Sequence, residues 1–243
     1  MVLESSISDH TVRSFSQELR QLNAVIQEMG NLAASQLGAA MKALSSRDPK
    51  GAAAVVLNDE IVNRLEHEVD TITMRLLALR QPVAFDLRTI LVALRASIDL
   101  ERVADYAANV AKRVRDLHQT PITEVVDVLL GMGEIARSMI TGVVKAYQDQ
   151  DVDLALDVWQ QDDRIDEIYN RLLCLLRSTM MEDASLVPVC TSLLLVSKSI
   201  ERIGDHVTNI AEHVYFLVRG VRWHEARPGD PARCPESGSA RRL

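Results

Sequence analysis

Glu101, Asp105 and Asn109 fall at i, i+4 and i+8 within SIDLERVADYAANVAKRV (97–114). Glu201, Asp205 and Asn209 repeat that spacing within SKSIERIGDHVTNIAEHV (197–214). On an α-helix this places three oxygen-bearing side chains on one stripe, about a turn apart. A row of carboxylate and amide oxygens is a donor set suited to hard or borderline cations. Glu212 falls back onto the second stripe, whereas Lys112 occupies the matching place in the first. A lone Glu-x-x-x-Asp reads equally well as a solvated helix face, where acids at i, i+4 and Glu–Arg pairs are common. What points to a site is the repetition. The two segments align without a gap at an offset of 100 residues and share Glu-Arg, Asp, Asn and Ala. Duplication alone would preserve part of that identity.

A cation held by such a stripe needs ligands from a neighbouring helix. Asp162 and Asp166 form a second i, i+4 pair, placed to face Glu201 and Asp205 if their helices pack together. Asp59 would stand in the same relation to Glu101 and Asp105, but Asn63 takes the place of the second carboxylate. The first site should therefore be the weaker. Asp59, Asp162 and Asp166 also read as ordinary surface acids of helices. His206 and His213 each follow a motif acid and point about 100° away from it, so neither is expected as a ligand. Arg102 and Arg202 are expected to form salt bridges within the bundle.

The elements that must position these residues follow from periodicity and breaks. Apolar residues at helical spacing run from about residue 11 to Ser46, with residues 1–10 expected as a loose end. Pro49 suits the first turn of a second helix, to about Leu79, and Gln81-Pro82 ends it. A third helix is expected from Val83 to His118, with Thr120-Pro121 as the next break. Three more are expected at about 121–148, 151–182 and 185–220. Met29-Gly30 recurs as Met132-Gly133, and Asp59 as Asp162, at an offset of 103. A period near 100 with three helices per copy is an internal duplication. The expected fold is all-α, with two pseudo-symmetric antiparallel three-helix bundles at 9–118 and 121–220. The arginine- and proline-rich segment 221–243 reads as a disordered tail.

Composition agrees. Hydrophobic residues make up 47% of the chain but aromatics only 4%, so the excess is aliphatic, as in bundles built by close helix approach. A net charge of −7 excludes generic nucleic-acid binding, which needs a basic stripe. Cys174, Cys190 and Cys234 show no metal-type spacing and read as thiols of a reducing compartment. The apolar run Leu186–Val196 is too short to span a bilayer, and the polar N-terminus lacks a signal-peptide core. A cytoplasmic location is the expectation from these features. The sequence has no Glu-x-x-His, His-Glu-x-x-His, Gly-x-Ser-x-Gly or P-loop pattern, so an enzyme is not expected.

At ERVADYAANVAKR and ERIGDHVTNIAEHVYFLVRG the chain resembles the PhoU family of phosphate-uptake regulators. HTVRSFSQELRQLNAVIQEMGNLA and DLRTILVALRASIDLERVAD extend the likeness over about residues 10–220. The resemblance implies two three-helix bundles and multinuclear metal sites on the acidic motifs, with Fe, Zn, Mn or Mg as candidate ions. It implies a homodimer and negative regulation of phosphate uptake and phosphate-starvation signalling. Its implied partners are the ATPase subunit of a phosphate ABC transporter and a sensor histidine kinase, with the membrane reached only through them. Two other readings stay open: a metal-dependent hydrolase of phosphorylated compounds, and a structural helical adaptor without metal.

Overall fold

The computed structural model describes residues 2–117 and 123–223. The break at Thr120-Pro121, together with His118, His224, Cys234 and the rest of 224–243, lies outside the described residues. Six long helices, with no strand among the described residues, make up the chain: α1 Val2–Ser46, α2 Pro49–Arg80, α3 Ala84–Arg113, α4 Thr123–Asp149, α5 Val152–Glu182 and α6 Val187–Arg219.

The helix ends repeat as the sequence does. Asp48 caps α2 by accepting from Lys50 N at 3.0 Å, and Asp151 caps α5 by accepting from Leu154 N at 3.0 Å. Each cap follows a left-handed residue, Arg47 with φ 51° and Gln150 with φ 53°. α6 closes on Gly220, whose φ of 74° suits glycine and whose N–H donates to Phe216 O.

Some boundaries differ from expectation. Residues 2–10 are helical, not loose. No glycine or proline interrupts the chain before Gly30, and extending a formed helix costs little per residue. α3 ends at Arg113 and tightens into a 3-10 turn over Val114–Leu117. A second 3-10 turn, Ala184–Leu186, precedes α6. The chain past Gly220 is not wholly loose either. Trp223 packs edge-on against Trp159 and Tyr215, with ring centroids 6.2 and 4.9 Å apart, because an indole gains from burial on aromatic faces.

Within each half the three helices run antiparallel in sequence order. The halves then join: α3 packs on α6 more extensively than any other pair, and α1 packs on α4, so one core runs through both. The α1–α4 seam shows the duplication at atomic detail. A Cβ at Gly30 would collide with Val144, and one at Gly133 would come within 2.8 Å of Met41 Cγ. Gly133 and Met41 are the offset counterparts of Gly30 and Val144, so each half inserts a residue into the other's glycine gap. Ala184–Arg219 is long enough, and over one 18-residue stretch of mean hydropathy 1.3 apolar enough, to cross a membrane by length and composition alone. It packs instead against α3, α4 and α5, and it carries Glu201 and Asp205.

Candidate metal centre

The two acidic motifs sit midway along α3 and α6, each flanked by the outer helix of its own half. In the second half α5 lies along α6. A Cβ at Gly204, between Glu201 and Asp205, would collide with Asp162 Oδ1, so glycine lets that carboxylate rest on the α6 backbone. Asp166 is next along α5. Burial raises its pKa above the usual 3.8, and the charges of Glu201 and Asp205 push it further. The structure thus brings Asp162, Asp166, Glu201 and Asp205 into one region.

Cationic side chains already engage this quartet. Lys198 Nζ donates to Glu201 Oε1 at 2.6 Å, and Arg202 pairs with Asp205 Oδ2 at 3.1 Å. Glu201 Oε2 is buried without a hydrogen bond; Arg202 Nε stands 3.9 Å away. Arg202 and Arg102 therefore pair with acids of their own helices, Arg102 with Glu101 at 3.3 Å, and do not bridge between helices. Glu212 leaves the stripe for Trp159, whose Nε1 donates to it at 3.4 Å.

The first half is arranged differently. Asp59, on α2, accepts from Gln36 Nε2 at 3.1 Å, and the same amide donates to Ala104 O at 3.2 Å. Ala104 stands where the second half has Gly204. Burial raises the pKa of Asp59, offset in part by Gln36 and raised further by Asp105. Burial likewise raises Glu101, with Arg102 lowering it and Asp105 and Asp59 raising it. Asn109 donates to Asp105 at 3.3 Å and accepts from Lys112 Nζ at 2.9 Å, so a cationic group stands at this site's edge. Asn63 Oδ1 is buried with no hydrogen-bond partner.

Asn209 does not mirror Asn109. It turns to the α3–α6 seam and donates to Asp99 Oδ1 at 3.2 Å. There His206 Nδ1 lies 2.8 Å from Asp99 Oδ1 and His213 Nε2 lies 3.3 Å from Asp99 Oδ2. Burial pushes the Asp99 carboxyl up, but these three contacts outweigh it and hold the pKa below 3.8. Sequence reasoning passed over Asp99. The available signal was a break in the repeat, since its counterpart is Ser199. His67 reads from the sequence as lacking metal-type spacing. Among the described residues Glu66, His67 and Asp70 offer ligand atoms within 4.8 Å of one another, on a largely exposed face of α2.

A family model described as the PhoU domain matches residues 26–114 and, a second time, 129–214. The chain belongs to the PhoU family. Phosphate-specific transport system accessory protein PhoU homologues share this length: one from Caulobacter vibrioides is 39% identical over 223 residues, covering 91% of this chain and 97% of its own. One from Zymomonas mobilis is 41% identical over 220 residues, covering 90% and 93%. The crystal structure of PhoU from Pseudomonas aeruginosa superposes with a TM-score of 0.82 at 36% identity, covering 85% of this chain and all of that one. PhoU from Streptococcus pneumoniae, a phosphate transport system regulatory protein, gives 0.81 at 28% identity, covering 87% of this chain. The doubled PhoU match coincides with the two halves, and it ends before Trp223.

Proposed function

We propose that the chain is a cytoplasmic, non-enzymatic accessory protein of phosphate transport that restrains phosphate uptake and phosphate-starvation signalling. One observation carries the reading. Relatives at 39–41% identity, matched over nine-tenths of this chain, are phosphate-specific transport system accessory proteins. On this reading the helical body works as an adaptor between the transporter's ATPase subunit and a sensor histidine kinase, and it acts as a homodimer. Deleting the gene in its host tests the role. Phosphate-starvation genes should become active in phosphate-rich medium, and unchanged expression would overturn the reading.

The same proposal places a divalent or transition cation on the acidic stripes, with the second half as the stronger site. The residues there fit such an ion. Asp162, Asp166, Glu201 and Asp205 supply carboxylate oxygens, Gly204 leaves room for Asp162, and Glu201 Oε2 is buried without a hydrogen bond. A cation would neutralise the quartet and tie α5 to α6, displacing Lys198 and Arg202. Asp59, Glu101, Asp105 and Asn109 would form the lesser site, since Lys112 supplies positive charge there and Asn63 lacks a negative one.

A further inference from the structure

Among the described residues, one of the two duplicated grooves is filled and the other is open. In the second half Trp223 folds back between α5 and α6, against Trp159 and Tyr215. The offset counterparts of those two residues are Val56 and Arg115. Both line a groove of about 490 Å³ between the start of α2 and the end of α3, floored by Ala52, Ala53, Val56 and Leu57. Leu57 is 76% exposed there, whereas its counterpart is the polar Gln160. The rim also differs. Lys112, Arg113 and Arg115 stand over the open groove, against the single acid Asp116. That acid is already engaged by Arg113 at 3.6 Å and by Ser192 at 3.4 Å. The counterparts in the filled half are Glu212, His213, Tyr215 and Phe216.

We propose that the α2–α3 groove docks an acidic segment of a partner protein through one bulky aromatic side chain, as the α5–α6 groove holds Trp223. The groove's volume falls within the range of ligand pockets, and the matching place in the other half seats an indole. Its cationic rim selects acidic sequence, steering the encounter while the aromatic group anchors it. Both tryptophans of this chain are committed to the second half, and segments 1–13, 118–122 and 224–243 carry no Trp, Tyr or Phe, so the occupant is sought in another protein. The inference needs no metal and stands apart from the phosphate reading.

The test is fluorescence anisotropy on the full chain with a labelled short peptide, rich in glutamate and carrying one tryptophan. Binding is expected, and replacing the peptide's tryptophan by alanine should weaken it about tenfold or more. Leu57→Glu should weaken it to the same degree, with helicity and Tm unchanged because Leu57 is exposed. Gln160→Glu, the matching change in the filled half, should leave it intact. Absence of binding, equal binding of the tryptophan-free peptide, or equal loss from both variants overturns the proposal. So does self-association of the wild-type chain that Leu57→Glu abolishes, which would make the occupant a second copy.

Discussion

Asp162 lies directly on Gly204, so that a methyl group at position 204 and the carboxylate of Asp162 compete for one space. The close approach makes α5 a contributor to the motif of α6. Gly204→Ala should push the flexible Asp162 carboxylate aside and weaken cation binding, with little loss of Tm because Ala gains about 1 kcal/mol over Gly in a helix interior. The first half carries Ala104 at this place, with its carbonyl bonded to Gln36, so no such gap exists there. Thermal unfolding with and without added Mn²⁺ checks the claim. An unchanged metal-induced shift would show that Asp162 is not seated on α6.

The raised carboxyls give the metal-free protein a pH dependence of definite sign. Asp166, Glu101 and Asp59 are held above their usual values, chiefly by burial, with neighbouring carboxylates adding to it. A raised folded value means that the folded state binds the proton more readily. The associated stability is complete below the unfolded value and lost as pH rises through the folded one. In chelator, Tm should therefore rise as pH is lowered from neutral towards the carboxylate range, and Asp166→Asn should flatten that rise. Equal slopes in the two proteins would contradict the assignment.

Asp99 has the opposite sign. His206, His213 and Asn209 hold its pKa down despite burial, so its contribution is present above the unfolded value and disappears as pH falls through the lower folded one. Asp99→Asn keeps the shape but removes the charge that both imidazoles face. It should cost about 1–3 kcal/mol at neutral pH and bring acid unfolding to a higher pH. An acid midpoint unchanged from wild type would mean that the seam does not depend on this carboxylate.

Trp223 sets an expectation for truncation. Ending the chain at Gly220, or Trp223→Ala, should remove about 1–3 kcal/mol through loss of the contacts to Trp159 and Tyr215, a drop of several degrees in Tm. Differential scanning calorimetry would show it. A Tm equal to wild type would make the indole a passive surface group.

The helices were legible because apolar spacing and the prolines act locally. The pairing of Asp162 and Asp166 with Glu201 and Asp205 was legible because the repeat fixed which helices correspond. The Asp99–His206 contact was not, since it joins residues 107 apart across a seam that the repeat leaves asymmetric. Nor was the part played by Lys198. Spacing shows which acids share a face, but not which cations of the same helix lean over them. Trp223 was read as part of the tail because a single aromatic among arginines and prolines carries no periodicity. Its anchor, Trp159, lies 64 residues earlier.

Isothermal titration of the chelator-stripped protein with Mn²⁺ tests the central claim most directly, comparing wild type, Glu201→Gln/Asp205→Asn and Glu101→Gln/Asp105→Asn. The account predicts saturable binding to wild type, loss of the tighter phase in the second-motif variant, and retention of that phase in the first-motif variant, with helical content unchanged in all three. A ligand at a hundredfold excess over Kd stabilises the fold by roughly 2.7 kcal/mol, so the same samples should show a parallel thermal shift. Equal or reversed losses from the two variants would contradict the ranking of the sites. No heat of binding to the wild type would contradict the metal centre itself.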